Sequence, residues 1–462
     1  MPPARYATAP IPSTTMPKGL PYILSNEVAE RFSYYGMRTI LVIFMTQHLM
    51  GEGGAHDLMT EAEAKVWYHN FSSAVYFTPI FGALLADIFL GKYRTILSLS
   101  VVYCLGHLAL ALDETRLGLS VGLTLIAIGS GGIKPCVSAH LGDQFGQTNG
   151  HLLSRAYSFF YFGINLGAMV STLLTPVLLD RIGPHVAFGL PGLLMLIATI
   201  VFWGGRREFV HVPPGGAQFA RELFTADTLR ALARLCVLYV FVAPFWSLFD
   251  QTGSSWVFQA QQMDRHLFGI EWLPSQFQAM NPLLVMLLIP FFSFVVFPFV
   301  ERFVRVTPMR KIATGFFITA AAFGINVLIE VWLAAGQTPS IAWQMLAYVI
   351  LTSAEVLVSI TGLEYSYTQA PLRLKSVVMS LYLMSVSLGN LFTSIVNEVI
   401  QDENGESVLD GTEYFLFFTG VMLVSAVIFV PVSARFRDRT VLQEEAMHVP
   451  EGAHVPEPPP VD

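Results

Sequence analysis

The sequence predicts an all-α integral membrane protein, with about twelve transmembrane helices arranged as two six-helix bundles. Three observations predict it. The 462 residues are 53% hydrophobic and only 13% charged, whereas a soluble chain carries about a quarter charged residues. Apolar stretches of roughly 20 residues, enough to cross a bilayer, recur along the whole chain. The basic residues crowd into the loops of one side.

The stretches run over 21–50, 62–91, 93–112, 117–142, 152–182, 186–204, 228–262, 275–304, 309–335, 341–369, 374–401 and 413–436. Several exceed one bilayer thickness, which implies tilt or extension beyond the lipid. An even number of spans puts both ends on one side. Nineteen of the 26 Lys and Arg fall on that side, and only Lys65, Arg116, Arg181 and Arg265 on the other. Cytoplasmic loops carry the basic excess, so both termini are expected in the cytoplasm. The opposite face is acidic, as at Asp402, Glu403, Glu406, Asp410 and Glu413. The widest basic loop, 205–227, is expected to link an N-terminal bundle, 21–204, to a C-terminal bundle, 228–437. Residues 1–20 and 438–462 become a cytoplasmic N-terminal segment and tail.

Composition also excludes. The first twenty residues are Pro-rich without an apolar core, so no removable signal peptide is expected. From about Val441 the chain is rich in Pro, Glu and His, and disorder is expected. Cys104, Cys136 and Cys236 lie far apart in apolar segments and read as packing residues, not as a metal or disulfide framework. No basic tract with interleaved aromatics points to nucleic acid. The net charge of −7 decides nothing by itself. No cofactor or metal is expected.

Charged residues inside the spans carry the functional signal. A charge at mid-bilayer costs roughly 2.5–3.5 kcal/mol on insertion scales, so it persists only against a wet cavity or a partner. In the first span Glu27, Glu30, Arg31, Tyr34 and Arg38 share one helical face. A helix end snorkelling to the interface suits Glu27 but does not explain a stripe that reaches Arg38. The second span carries Tyr68 and His69 with Ser72, Ser73 and Tyr76 on nearly the same face. His69 reads either as a packing group or as a proton site. Lys134 follows a Gly129-Ser130-Gly131-Gly132 run that permits close helix approach. Asn165, Asp250 with Gln251 and Ser254, Asn281-Pro282, and Glu355 between Thr352 and Ser359 complete the set. Each polar group alone could be interhelical glue.

The mid-membrane bases are thus Arg31, Arg38 and Lys134, and the acids Glu27, Glu30, Asp250 and Glu355. Lys134 and Glu355 come from opposite halves, as do Arg31 and Asp250. Two ionic pairs bridging the halves are expected. A pair that breaks on protonation is a bistable element, and the alternative is a static ionic staple.

These residues resemble those of the proton-coupled oligopeptide transporter (POT) family of the major facilitator superfamily. The first span is similar to its E-x-x-E-R-F-x-Y-Y motif, from Glu27 to Tyr35. The loop from Gly82 through Asp87 and Gly91 to Arg94, the run Gly129–Phe145, Phe160 to Gly167, Phe245 to Gln251, and Glu355 to Pro371 also resemble family motifs. The resemblance covers essentially the whole chain. It implies a symporter that imports di- and tripeptides with protons across the cell membrane. Arg31 and Lys134 would meet the peptide carboxylate. Glu355, Asn165 and Asn281 would hold the amine, and Tyr34 and Tyr68 would line the pocket. Glu27, Glu30, Asp250 and His69 would take part in proton coupling. There are two departures. Bacterial members often insert two extra helices, for which the linker here is too short, and Tyr382 stands where the family pattern has Trp.

Three other readings stay open on the residues alone. One is a proton-coupled carrier of another small solute such as nitrate, since plant relatives on this fold carry it. Another is a passive channel. The third, a membrane enzyme, lacks any nucleophile–base constellation in the sequence.

Overall fold

A computed structural model describes residues 6–51, 53–216, 225–369 and 375–436. The expected disorder from Val441, the whole of the expected tail and part of the expected linker lie outside the described residues.

Among the described residues, twelve long helical segments follow one another: α1 (Leu20–Gln47), α2 (Glu61–Leu90), α3 (Lys92–Leu112), α4 (Arg116–Gly142), α5 (Gly150–Arg181), α6 (Pro184–Arg207), α7 (Leu232–Gln261), α8 (Pro274–Glu301), α9 (Pro308–Ala334), α10 (Ala342–Ser366), α11 (Val377–Val399) and α12 (Gly411–Ser433). Among the described residues, the eleven from α2 to α12 are long and apolar enough to cross a membrane. The remaining helix, α1, is 28 residues long, and its ionic stripe keeps it out of that set. Helix starts carry the expected caps. Thr60, Thr115, Thr307 and Asp410 each accept a backbone N–H three residues on, satisfying a donor with no intrahelical partner. Between α7 and α8 a short hairpin pairs His266–Leu267 with Ile270–Glu271. Its turn residues Phe268 and Gly269 have φ of 55° and 77°, the left-handed pair a two-residue turn needs.

Apolar burial forms two large clusters. One gathers Tyr34, Phe44, Phe188 and Phe202; the other gathers Trp256, Phe316, Phe323 and Phe418. Packing follows the same division: α1 lies against α5 and α6, and α3 against α4 and α6, while α9 lies against α10 and α12. Contacts between the first six and last six segments run mainly along α2 with α11 and α5 with α8. The outer surface is apolar, with Phe294 81% and Phe303 74% exposed. Such a surface suits lipid, not water.

Small residues set the closest approaches. A Cβ on Gly82 of α2 would fall 2.6 Å from Cα of Gly132 in α4, so the glycine run of α4 is a backbone-to-backbone contact. The segment expected as one helix over 228–262 is interrupted. Asp250–Gly253 form a 3₁₀ turn inside α7, and a Cβ on Gly253 would collide with Tyr68 Oη. Among the described residues, three helices contain π-helical turns: Leu85–Leu90, Phe292–Val296 and Val356–Ile360.

Candidate functional site

A cavity of about 550 Å³ lies between the two groups of helices. Its walls come from both. Tyr35, Arg38, Tyr68 and Asn165 line it from the first half; Asn281, Glu355 and Glu364 line it from the second. Tyr68 and Arg38, at 0% and 8% exposure, mark the closed end, and Tyr161, at 43%, marks the open one.

Glu355 ends the regular α turn of α10, immediately before the π turn Val356–Ile360. A π turn widens the helix and is frequent at functional sites. The Glu355 Oε2 accepts the Asn281 amide at 2.6 Å. The same amide donates to Thr352 Oγ1 at 3.3 Å, so Thr352 and Glu355, one turn apart on one face, share it. Among the described residues, no cation lies within ion-pair distance of Glu355. Asn165 reaches the cavity from the other half, its amide donating back to the Tyr161 carbonyl at 2.9 Å.

Arg31 and Lys134 form a separate cluster behind the wall of the first half. Arg31 Nε lies 2.7 Å from Glu27 Oε1 and 3.3 Å from Glu30 Oε2. Lys134 Nζ lies 3.6 Å from Glu30 Oε1 and 3.9 Å from the centroid of the Tyr34 ring. Two bases and two acids balance, with Tyr34 as a cation–π partner. The expected pairs Lys134–Glu355 and Arg31–Asp250 are therefore not formed. Glu27 and Glu30 lie within one turn of Arg31, and α4 packs close enough for Lys134 to reach the same carboxylate. Both bases find acids in their own half.

Among the described residues, the ionic pair that does bridge the halves is Arg38 with Asp250, at 2.6 Å and with side chains 10% and 3% exposed. It belongs to a longer chain. The Asp250 Oδ2 accepts the amide of Asn390. Asn390 Oδ1 lies 2.8 Å from His69 Nδ1, and His69 Nε2 lies 2.9 Å from Ser254 Oγ. Arg38 and His69 come from the first half; Asp250, Ser254 and Asn390 come from the second. Both ring nitrogens of His69 are engaged across the seam, which a plain packing histidine would not require. Further along, Ser73 and Ser387 are 3.0 Å apart, and Ser394 donates to the Val66 carbonyl at 3.3 Å.

The structure thus brings Tyr68, Asn165, Asn281 and Glu355 to one cavity. It places Glu27, Glu30, Arg31, Tyr34 and Lys134 in a cluster beside it, and His69 and Asp250 in the seam. Sequence reasoning missed Asn390 and gave Arg38 no site role. The signal for Asn390 was present: Ser380, Ser387, Asn390, Ser394 and Asn397 repeat along one face of an otherwise apolar helix. Tyr382, the departure from the family pattern, is buried with its hydroxyl donating to the Ser359 carbonyl at 3.0 Å. It supports the π turn from behind rather than lining the cavity.

Long apolar helices in two packed groups, around a shared cavity with a few polar groups in a largely apolar wall, define a multi-pass membrane protein of the major facilitator superfamily. Comparison with known families narrows this. The POT family model matches residues 93–226 and 224–409, and the chain belongs to that family. It is 37% identical over 368 residues to peptide transporter family 1 of Drosophila melanogaster, covering 69% of this chain and 48% of that one. It is 35% identical over 401 residues to solute carrier family 15 member 2 of Homo sapiens, covering 75% of this chain and 54% of that one. The chain thus spans about half the length of these curated relatives. A crystal structure of an auto-inhibited POT family peptide transporter superposes with a TM-score of 0.82 at 36% identity, covering 92% of this chain and 98% of the other. A mutant peptide transporter POT in complex with alafosfalin gives 0.76 at 26% identity, covering 91% and 95%.

Proposed function

We propose that this chain imports di- and tripeptides across the cell membrane together with protons, by alternating access between bundles 21–204 and 228–437. Both termini and the 205–227 linker would face the cytoplasm, where the basic loops lie. The observation that carries this reading is Glu355, a half-buried carboxylate at the wall of a cavity built by both halves, held by an asparagine amide and, among the described residues, facing no cation. A substrate ammonium completes such a group. In transporters of this architecture the substrate site lies near mid-membrane between the repeats.

A short peptide is a zwitterion. An anionic anchor at Glu355, assisted by Asn281 and Asn165, takes its amine. The carboxylate goes to the cationic side, Arg31 and Lys134, once Glu27 or Glu30 is protonated and lets go of its base. Tyr34 and Tyr68 flank that path. The rest of the wall is apolar or aromatic and tolerates varied side chains. Asp250 and His69 respond to protons in the seam: protonating Asp250 removes the charge that holds Arg38, and protonating His69 makes both of its nitrogens donors. Three of the names quoted above support the peptide assignment: peptide transporter family 1, the auto-inhibited POT family peptide transporter and the peptide transporter POT.

One proton crossing about 100 mV supplies about 2.3 kcal/mol, enough for somewhat over tenfold accumulation. The test is uptake of labelled dialanine into proteoliposomes with an imposed proton gradient. Glu355→Gln should abolish gradient-driven accumulation while the protein still elutes as a single folded species. Wild-type accumulation by that variant would remove Glu355 from the mechanism. Nitrate should not compete with dialanine, and uptake should collapse with an uncoupler. Competition by nitrate would favour an anion carrier, and flux indifferent to the uncoupler would favour a channel.

A further inference from the structure

A second, larger groove lies away from the central cavity. It has a volume of about 960 Å³ and runs between α8, α9 and α12 at the side of the molecule where α1 begins. Its length is apolar, lined by residues such as Phe292, Phe297, Phe317 and Val430. Phe317 and Val430 are 40% and 49% exposed, so the groove opens outward, where lipid lies. Its other end is basic. Arg305, Arg310 and Lys311 all line it. Arg310 donates to the Arg305 carbonyl at 2.8 Å, tying the two arginines to one loop. Lys311 Nζ lies 4.1 Å from the centroid of the Phe297 ring, at the join between the cationic mouth and the apolar floor. Among the described residues, no carboxylate lies within ion-pair distance of these three cations.

We propose that this groove binds an anionic phospholipid, with its phosphate at Arg305, Arg310 and Lys311 and its acyl chains along α8, α9 and α12. Charge complementarity selects the headgroup: basic pockets between helices on the cytoplasmic side bind acidic lipid heads. Shape selects a lipid over a soluble phosphate, because an apolar trough would otherwise stand unfilled. The chain's own tail, 437–462, is the competing occupant. It carries acids such as Glu444 and Glu445 but no run of large apolar residues to fill the trough. The proposal does not depend on what the central cavity carries.

The experiment is native mass spectrometry of the full chain in detergent, titrated with phosphatidylglycerol or phosphatidylcholine, with thermal melting in parallel. Three cations at a membrane surface give phosphatidylglycerol a preference on the order of tenfold to a hundredfold. Arg305→Gln/Arg310→Gln/Lys311→Gln should erase that preference and the accompanying rise in melting temperature. Thr314→Trp, which fills the trough without touching a charge, should weaken both lipids. Glycerol phosphate alone should neither bind nor stabilise. Equal affinity for the two lipids, or a triple variant that keeps the preference, overturns the proposal. So does phosphatidylglycerol binding that emerges only after Glu444→Gln/Glu445→Gln, since the groove then belongs to the tail.

Discussion

Arg38 and Asp250 meet at 2.6 Å across the two halves, almost fully buried, and what happens when one is lost differs from what happens when both are. Removing a single partner of a buried pair strands a charge and costs about 3–5 kcal/mol, while replacing both is often close to neutral. Arg38→Gln and Asp250→Asn should each lower the melting temperature of the purified protein, and the double variant should recover most of the loss. Additive losses would mean that the pair does not couple. The residue scale is also where the sequence was least specific. It placed Arg31 and Arg38 on one face of α1, and periodicity is legible. Depth is not: the two bases are seven residues, or about 10 Å, apart along the axis at 1.5 Å per residue, and only packing decides which of them faces Asp250. The same limit applies to Lys134, whose deep position was legible while its partner, Glu30, was not. Glu355 and Asn281 were legible as polar positions inside apolar helices, while their hydrogen bond to each other is a product of packing.

At the scale of elements, the close contacts depend on what is missing. The Gly82 Cα faces Gly131 and Gly132 of α4 with no room for a side chain, and in a membrane such small-residue contacts do the packing that apolar burial does in water. Gly82→Val should force α2 and α4 apart and destabilise by about 1–3 kcal/mol, the usual range for overpacking. Gly420 in α12 offers the control, since nothing lies within 4 Å of its Cβ position. Gly420→Ala should leave the melting temperature unchanged or slightly raised. If Gly82→Val melted like Gly420→Ala, the α2–α4 contact would be looser than the geometry implies. The helices themselves were legible to within a few residues because each is an apolar run. The 3₁₀ turn at Asp250–Gly253 was not, although Gly253 leaves the room that Tyr68 of another helix occupies. The π turn after Glu355 was equally invisible: no proline announces it, and it draws support from Tyr382, on a different helix.

At the scale of the molecule, the hydrogen bonds that cross between halves lie mostly from the closed end of the cavity to the side opposite the N terminus. Arg38–Asp250, His69–Asn390 and His69–Ser254 seal that end. Farther out, Thr60 Oγ1 donates to the Gly405 carbonyl at 2.5 Å, and Gln276 Nε2 donates to the Leu173 carbonyl at 3.0 Å. Lys65 caps the Tyr414 ring at 4.7 Å from its centroid. A carrier that exposes its site alternately to the two sides must part this seam once per cycle, whereas a fixed pore need not. Ser73 and Ser387 test the difference directly. Their hydroxyl oxygens are 3.0 Å apart on α2 and α11, close to the geometry in which two cysteines can bridge. In a background where Cys104, Cys136 and Cys236 are replaced by Ser, Ser73→Cys/Ser387→Cys should transport while reduced. Oxidation should then stop dialanine uptake, and a reductant should restore it. Each single cysteine variant should be indifferent to the oxidant. Uptake that continues with the bridge demonstrably closed would mean that the halves do not separate at α2 and α11, and rocking about the central cavity would have to be abandoned.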